Sequence, residues 1–446
     1  MGRFARILEE EYKIPTVGAA AVTMVEYGRG YDFLYTNGMP IRYVAIPFPV
    51  AGQPASVHKK YVEGLEPTTG KPLMQSIIDA LTVPLTDHEK FSGTPPEAQP
   101  EPRFLERDTA ENLHRLFEEE DWTDYNPIIL PTEDRVKEML TGTSHAPDEV
   151  VNTINWPGGA RELTVEKAAI AAVMAGAKPE YMPLILAVAT RVPFGNSTSS
   201  MANMIVVNGP IVKELGMNAG MNAMGPHNHV NSVIGRVFTL LSKTVGNLHS
   251  GETTWSTLGS NLQYNNLTVA ENEDLLPEGW EPFHVQMGFN RDDSVVSIGT
   301  GWTYISSVGE VQIAYPPQKL MGDYMRSLTA IGSGATIIMD PTVAQLLKDT
   351  QGFNTKRELS TWLADNVEKT TASFWGNGVV STSFASLALQ GLEPYAEWYN
   401  APPDTLIKPF NNPRSIQVLV VGGNIQTTWF VTDFRLGRGI LVDDWR

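Results

Sequence analysis

Two histidines stand two residues apart in Gly225-Pro226-His227-Asn228-His229-Val230-Asn231. On an extended backbone, side chains at i and i+2 point to one side, so His227 and His229 can chelate a divalent metal. A carboxylate from Ala270-Glu271-Asn272-Glu273-Asp274 would complete such a site. The spacing is not HExxH, and loop histidines bonded to backbone or substrate explain it equally. Between these readings lies one in which His227 or His229 is a general acid/base or an oxyanion donor. A second candidate is Phe194-Gly195-Asn196-Ser197-Thr198-Ser199-Ser200, dense in uncharged polar groups ahead of an apolar run. Asn196, Ser197 and Thr198 suit a carboxylate, phosphate or carbonyl, and a turn-rich loop capping a helix accounts for them as well. A third is Gly422-Gly423-Asn424, where glycines after a strand let backbone N–H groups approach a ligand. Glu166, with Lys167, opens an otherwise apolar helix. Its carboxylate either complements the helix dipole or serves as a base. His284 in Glu281-Pro282-Phe283-His284 reads first as a satisfied core histidine.

Absent motifs narrow the chemistry. No GxSxG elbow, GxGxxG fingerprint or Walker motif occurs, which lowers serine hydrolase, dinucleotide and nucleotide readings. The 446 residues contain no cysteine. Disulfides, a thiolate nucleophile of the chain's own, iron–sulfur clusters and Cys-ligated zinc are therefore excluded. The net charge of −17 argues against nucleic acid or an anionic membrane as a general partner. No run approaches the roughly 18 apolar residues of a membrane span. The start Met1-Gly2-Arg3-Phe4-Ala5-Arg6 soon turns acidic and lacks a signal-peptide core, so a cytoplasmic protein is expected.

The positioning elements read as α/β, with partly parallel sheets flanked by helices in two or three subdomains. A short helix is expected over Phe4 to Tyr12, strands from Ile14 and from Ile41 to Ile46, and a helix over 72–82. The proline-rich stretch 92–102 reads as a linker or crossing loop. Residues 103–154 read as an acidic, partly helical connection, with Glu118-Glu119-Glu120-Asp121 a solvated helix end. The main body spans 155–446. There Thr164 caps a helix whose Val165, Ala168, Ala169, Ala172 and Val173 share one face, and Gly176 ends it. Met204 to Val207, Ala335 to Met339 and Ser415 to Val421 read as buried strands, with β-rich sequence over 294–313. Helices are expected over 230–245 and from Pro341, with Asp340 as N-cap, to Gly352. Thr355 and Glu358 form a capping box. No stretch of sequence repeats another.

The segment Thr164-Val165-Glu166-Lys167-Ala168-Ala169-Ile170-Ala171-Ala172-Val173-Met174-Ala175-Gly176-Ala177-Lys178-Pro179-Glu180-Tyr181-Met182-Pro183 resembles the helix pair of the UGSC-type family, named for a selenocysteine/cysteine-Gly-Ser-Cys motif. That family is similar to the selenoprotein B subunit of glycine, sarcosine and betaine reductases. The likeness extends through Val207 to Ile211, Gly225 to Arg236, Ala270 to Glu273, Trp280 to Pro282 and Val420 to Gly423. At the start, Leu8 to Val17, Gly38 to Pro40 and Pro47 to Pro49 resemble the part of a UGSC domain downstream of its redox motif. The resemblance implies that residues 1–91 are such a domain without its motif, and that a small Cys- or Sec-containing partner subunit supplies the thiol. This chain departs from the family at His227-Asn228-His229, where the family has a Gly-Asn-Arg-like run.

Three functions follow as expectations. In the first, the chain is one subunit of a hetero-oligomeric enzyme that cleaves or forms a carbon–heteroatom bond in a small polar molecule. His227 or His229 moves protons, Glu271 orients them, and Asn208, Arg236, Glu273, Gly422, Gly423 and Asn424 join residues 196–198 in holding substrate. In the second, the chain is a lyase or hydratase using histidine and carboxylate groups, with metal at His227 and His229. In the third, it is a non-catalytic scaffold. The first two require residues 196–200, 225–236, 271–273 and 422–424 to converge on one cleft.

Overall fold

The computed structural model describes residues 2–25, 41–50, 53–90, 103–156, 159–193, 202–250, 253, 254, 256, 258–308, 315–331 and 334–446. The polar run 194–200, including Asn196, Ser197 and Thr198, and the expected linker 92–102 lie outside them. The chain forms two compact units, one of residues 1–107, 155–161 and 250–253, the other of the remaining residues. No helix among the described residues is long and apolar enough to cross a membrane.

In the smaller unit, strands β1 (Gly18–Ala21) and β2 (Tyr43–Ile46) pair in parallel. Helices Gly2–Glu10, Ala55–Glu63 and Leu73–Thr82 accompany them. The first strand starts later than its sequence suggests. Thr16 donates from both its amide and its hydroxyl to Glu9 Oε1, at 2.8 and 2.6 Å, and 14–17 stay irregular ahead of the strand. Strands β3 (Val150–Trp156) and β4 (Gly159–Thr164) form a separate two-stranded sheet, of which only residues 155–161 belong to this unit.

Residues 108–154 belong to the larger unit and are more than a connection. Their helices, Ala110–Glu119 and Glu133–Leu140, bury Phe117, Val136 and Met139 in the core around helix Val165–Ala175. That helix begins where the Thr164 hydroxyl accepts from Lys167 N and ends at left-handed Gly176. Its alanine face is fully closed to solvent, as small residues permit where helices Met182–Ala189 and His229–Thr244 approach.

Two sheets dominate this unit. In the first, β5 (Ala202–Asn208) runs parallel to β6 (Leu267–Ala270) and antiparallel to β7 (Val295–Gly301). From β7 the chain passes to β8 (Tyr304–Val308), which belongs to the second sheet. The second sheet then builds from β9 (Ala335–Met339). After the short antiparallel pair β10 (Lys369–Thr370) and β11 (Leu406–Ile407), strand β12 (Ile416–Val420) lies parallel to β9, and β13 (Thr428–Thr432) lies antiparallel to it. The chain next crosses back through β14 (Arg435–Leu436) and β15 (Ile440–Leu441), both paired with β7.

The two sheets are thus the same unit used twice. Each has a first strand, a helical crossover to a parallel second strand, an antiparallel third strand, and a fourth strand donated by the other half. The orders β6-β5-β7-β14 and β12-β9-β13-β8 correspond strand for strand. The crossing points are joined: Asp433 Oδ1 accepts from Trp302 N at 3.0 Å and Thr303 N at 2.9 Å. Burial pushes the Asp433 carboxyl above its ordinary range against these bonds.

Alternation along the strands shows the layering. Ile205 and Val207 pack on the helices of the first half, and Ile337 and Met339 on those of the second. Met204, Val206, Ile338, Leu419 and Phe434 meet in a third cluster between the sheets. The architecture is helix–sheet–sheet–helix. It explains why these strands read as unbroken apolar runs, since both faces of each are buried.

Candidate active-site crevice

The carboxyl ends of the two parallel pairs come together. At the end of β6, Glu271 is buried, and its carboxylate takes four hydrogen bonds. Lys356 Nζ donates to Oε1 at 2.5 Å and Val420 N to the same oxygen at 3.2 Å. Asn208 Nδ2 and Phe283 N donate to Oε2 at 2.8 and 2.6 Å. Lys356 is also closed to solvent, so this ion pair lies wholly inside the protein and links the first half to the second. Asn272 N adds a bond to Val420 O at 2.7 Å, and Asn272 Nδ2 one to Gly422 O at 2.9 Å.

Beside this junction, at the carboxyl ends of β9 and β12, lies a cleft of about 480 Å³. A small molecule fits such a volume, and the ends of parallel strands are where open α/β sheets bind ligands. Its floor includes Asp340, Gly422 and Gly423, and Met221, Met224 and Ile425 form part of its wall. Asp340 caps helix Pro341–Gln351 through Val343 N at 2.8 Å, and its other oxygen accepts from Thr428 N. Burial raises the Asp340 carboxyl above its ordinary value, partly offset by the hydrogen bonds from Val343, Thr428 and Thr342. It is the one carboxyl among the described residues lining the cleft.

The two glycines serve different ends. Gly422 has φ +101°, a conformation L side chains rarely take. A Cβ on Gly423 would lie 2.6 Å from Met221 Cγ, so glycine keeps the floor clear of the wall.

An asparagine lattice holds the methionine wall. Asn218 Nδ2 donates to Met221 O and to Asn228 Oδ1, at 2.8 and 2.7 Å. Asn228 Nδ2 reaches Asn222 O at 2.6 Å and Gly225 O at 2.9 Å. Asn231 and Asn218 exchange bonds through Asn231 Oδ1 and Nδ2, at 3.0 Å each. Sequence reading fixed on the histidines and missed this lattice, although Asn218, Asn222, Asn228 and Asn231 crowd one short segment.

The expected convergence is partial. Glu271, Glu273, Asn208, Gly422 and Gly423 gather at the junction or the cleft. Asn424 is exposed on the loop just beyond. His227 and His229 are both exposed and do not line the cleft. His229 Nδ1 lies 3.4 Å from the Tyr181 hydroxyl, and His227 sits at φ +76° in the turn before helix His229–Thr244. Glu271 does not orient them, because its oxygens are committed to Lys356, Asn208 and two backbone amides. No group of three or more His, Asp or Glu residues suited to a metal occurs among the described residues. Arg236 is a clamp: it grips Asp124 through two bonds, at 2.8 and 2.9 Å, and donates to Pro127 O at 2.9 Å. Glu166 stands in the first turn of helix Val165–Ala175, outside the cleft lining.

Glu273 and Asn208 bring in a residue that sequence reading set aside. Glu273 Oε1 accepts from Asn208 Nδ2 at 2.9 Å and from Gly209 N at 2.8 Å. It also faces Nδ1 of the fully buried His284 at 3.5 Å.

Compared with family models, curated proteins and solved structures, the chain gives no match.

Proposed function

We propose that this chain is the substrate-binding subunit of a hetero-oligomeric enzyme that makes or breaks a carbon–heteroatom bond in a small molecule. The crevice at the carboxyl ends of β9 and β12 carries this reading. It is sized for a small molecule, walled by methionines that accommodate an apolar body, and floored by glycine backbone beside a single carboxyl. Asp340 is the group placed to hold or release a proton there, as the one carboxyl lining the crevice among the described residues, with burial raising its affinity for a proton. Its binding of two backbone amides fixes the carboxyl in place. The sequence likeness to the UGSC-type family supports a partner thiol or selenol as nucleophile, and the chain's lack of cysteine requires that any such group come from elsewhere.

The test compares the wild-type chain with Gly423→Trp, which fills the crevice. Each is purified alone and with a small Cys- or Sec-containing protein co-expressed as the candidate partner, and small molecules released on denaturation are identified by mass spectrometry. A compound held by the wild type, lost from Gly423→Trp, and converted only in the presence of the partner is expected. Asp340→Asn, which keeps the helix cap, should bind that compound but not convert it. If no compound depends on the crevice in either preparation, the reading fails and a scaffold role gains.

A further inference from the structure

Buried polar groups in folded proteins find partners, and Asn208 at the end of β5 and His284 in the short helix Phe283–Gln286 each leave one atom without one. His284 is fully buried. Its Nε2 lies 3.3 Å from the carbonyl oxygen of Arg291, which can only accept, so Nε2 carries a hydrogen. Nδ1 faces Glu273 Oε1, 3.5 Å away, and makes no hydrogen bond among the described residues. Asn208 Oδ1 is a second buried atom without a hydrogen bond, on the side chain whose Nδ2 touches the same Glu273 oxygen at 2.9 Å. A carboxylate oxygen that accepts from Asn208 Nδ2 and Gly209 N thus faces an unpartnered imidazole nitrogen across 3.5 Å.

A charge-assisted N–H···O bond would draw the atoms to about 2.7–2.9 Å. The observed 3.5 Å instead matches the edge of a coordination tetrahedron, about 3.4 Å for metal–ligand bonds of about 2.1 Å. Glu271 is not available as a ligand, since Lys356 neutralises it and four hydrogen bonds occupy both its oxygens, whereas Glu273 accepts among the described residues only at Oε1. Glu273 keeps 21% of its side chain exposed, which leaves a route for an ion and its water.

We propose that Glu273 and His284 Nδ1, with Asn208 Oδ1 as a third donor, bind a divalent first-row transition-metal ion of the zinc kind. Imidazole with carboxylate and amide oxygen suits such an ion, and the second ring nitrogen is already fixed by a backbone carbonyl, as metal-bound histidines require. The site is distinct from the His227–His229 pair and independent of the ligand in the crevice.

The test uses the full chain, stripped with chelator and titrated with Co²⁺ by visible absorption, then with Zn²⁺ in competition. One ion per chain is expected. Glu273→Gln and His284→Asn should each weaken binding by more than the roughly 10–100-fold that loss of an outer-shell partner costs. A His227→Ala, His229→Ala double variant should bind as the wild type does. Should His284→Asn fail to fold by circular dichroism, Glu273→Gln decides, because its side chain is partly exposed. No saturable Co²⁺ binding, binding indifferent to Glu273→Gln, or binding lost only in the double-histidine variant would each overturn the proposal. The last outcome would mark an adventitious surface site.

Discussion

Lys356 Nζ lies 2.5 Å from Glu271 Oε1, with both side chains closed to solvent. The pair joins the end of β6 in one half of the larger unit to the start of helix Lys356–Asn366 in the other. Together with Val420 N and Asn208 Nδ2, it sets the distance between the carboxyl ends of the two parallel strand pairs. The crevice walls depend on that distance.

Removing the cation leaves a buried, uncompensated carboxylate. Lys356→Met should therefore lower unfolding stability by about 3–5 kcal/mol. The double variant Lys356→Met, Glu271→Leu should recover part of this loss, since no buried charge remains. Urea titration of the three proteins measures it, and a Lys356→Met midpoint equal to that of the wild type would contradict the assignment.

The smaller unit should lose stability in acid through Glu66. Burial pushes the Glu66 carboxyl up, but hydrogen bonds from Thr68 and Thr69 outweigh it and hold the group at about 2. Thr68 Oγ1 and Thr69 N donate at 2.6 and 2.5 Å, and Ala45 N adds a bond from β2 at 3.1 Å. A folded value below the unfolded one of about 4.3 contributes stability that is present above that unfolded value. It drains away as pH falls from about 4.3 to about 2. Glu66→Gln should flatten this part of the acid unfolding curve, as read by circular dichroism.

The two crevice glycines should respond differently. Gly422→Ala forces an L residue to φ +101° and should cost about 1–3 kcal/mol. Gly423→Ala meets the side chain of Met221, which is 64% exposed and can rotate away, and the Met221 Cα at 3.3 Å, so its cost should be about 1 kcal/mol. Thermal and urea unfolding of both variants check the order, and the reverse order would refute it.

Arg236 should act on the fold and not on the crevice. Its bidentate hold on Asp124 keeps that carboxylate below its ordinary range despite burial, which alone would raise it. Arg236→Ala strands Asp124 and should cost about 3–5 kcal/mol, while the folded fraction keeps the crevice ligand. Arg236→Lys should recover little, because an ammonium cannot reproduce the two-pronged contact. Ligand retention measured beside urea stability separates these effects.

Several elements were legible in the chain itself, for local reasons. Thr164, Asp340 and the Thr355–Glu358 pair mark helix starts because a short polar side chain satisfies a free amide there. The runs Met204 to Val207 and Ala335 to Met339 read as buried strands because both faces of each are covered. The α/β class and the lack of an internal thiol follow from the same residues. The duplication was not legible. What repeats is the pairing of strands, and Val207-Asn208-Gly209-Pro210 shares little with Met339-Asp340-Pro341 at the corresponding strand ends.

The site divides along the same line. Sequence could nominate Glu271, Glu273, Gly422 and His284 by type, but neither their partners nor which would lie open. Glu271 meets Lys356 across 85 residues and Val420 across 149, contacts made only when two halves of the chain close on each other. That closure converts a nominated acid into a buried structural anion, leaves His227 and His229 at the surface, and turns Asp340, legible only as a helix cap, into the carboxyl of the crevice. Residue type determined which chemistries this chain can hold. Long-range burial decided which groups are spent on holding the fold and which remain for a ligand.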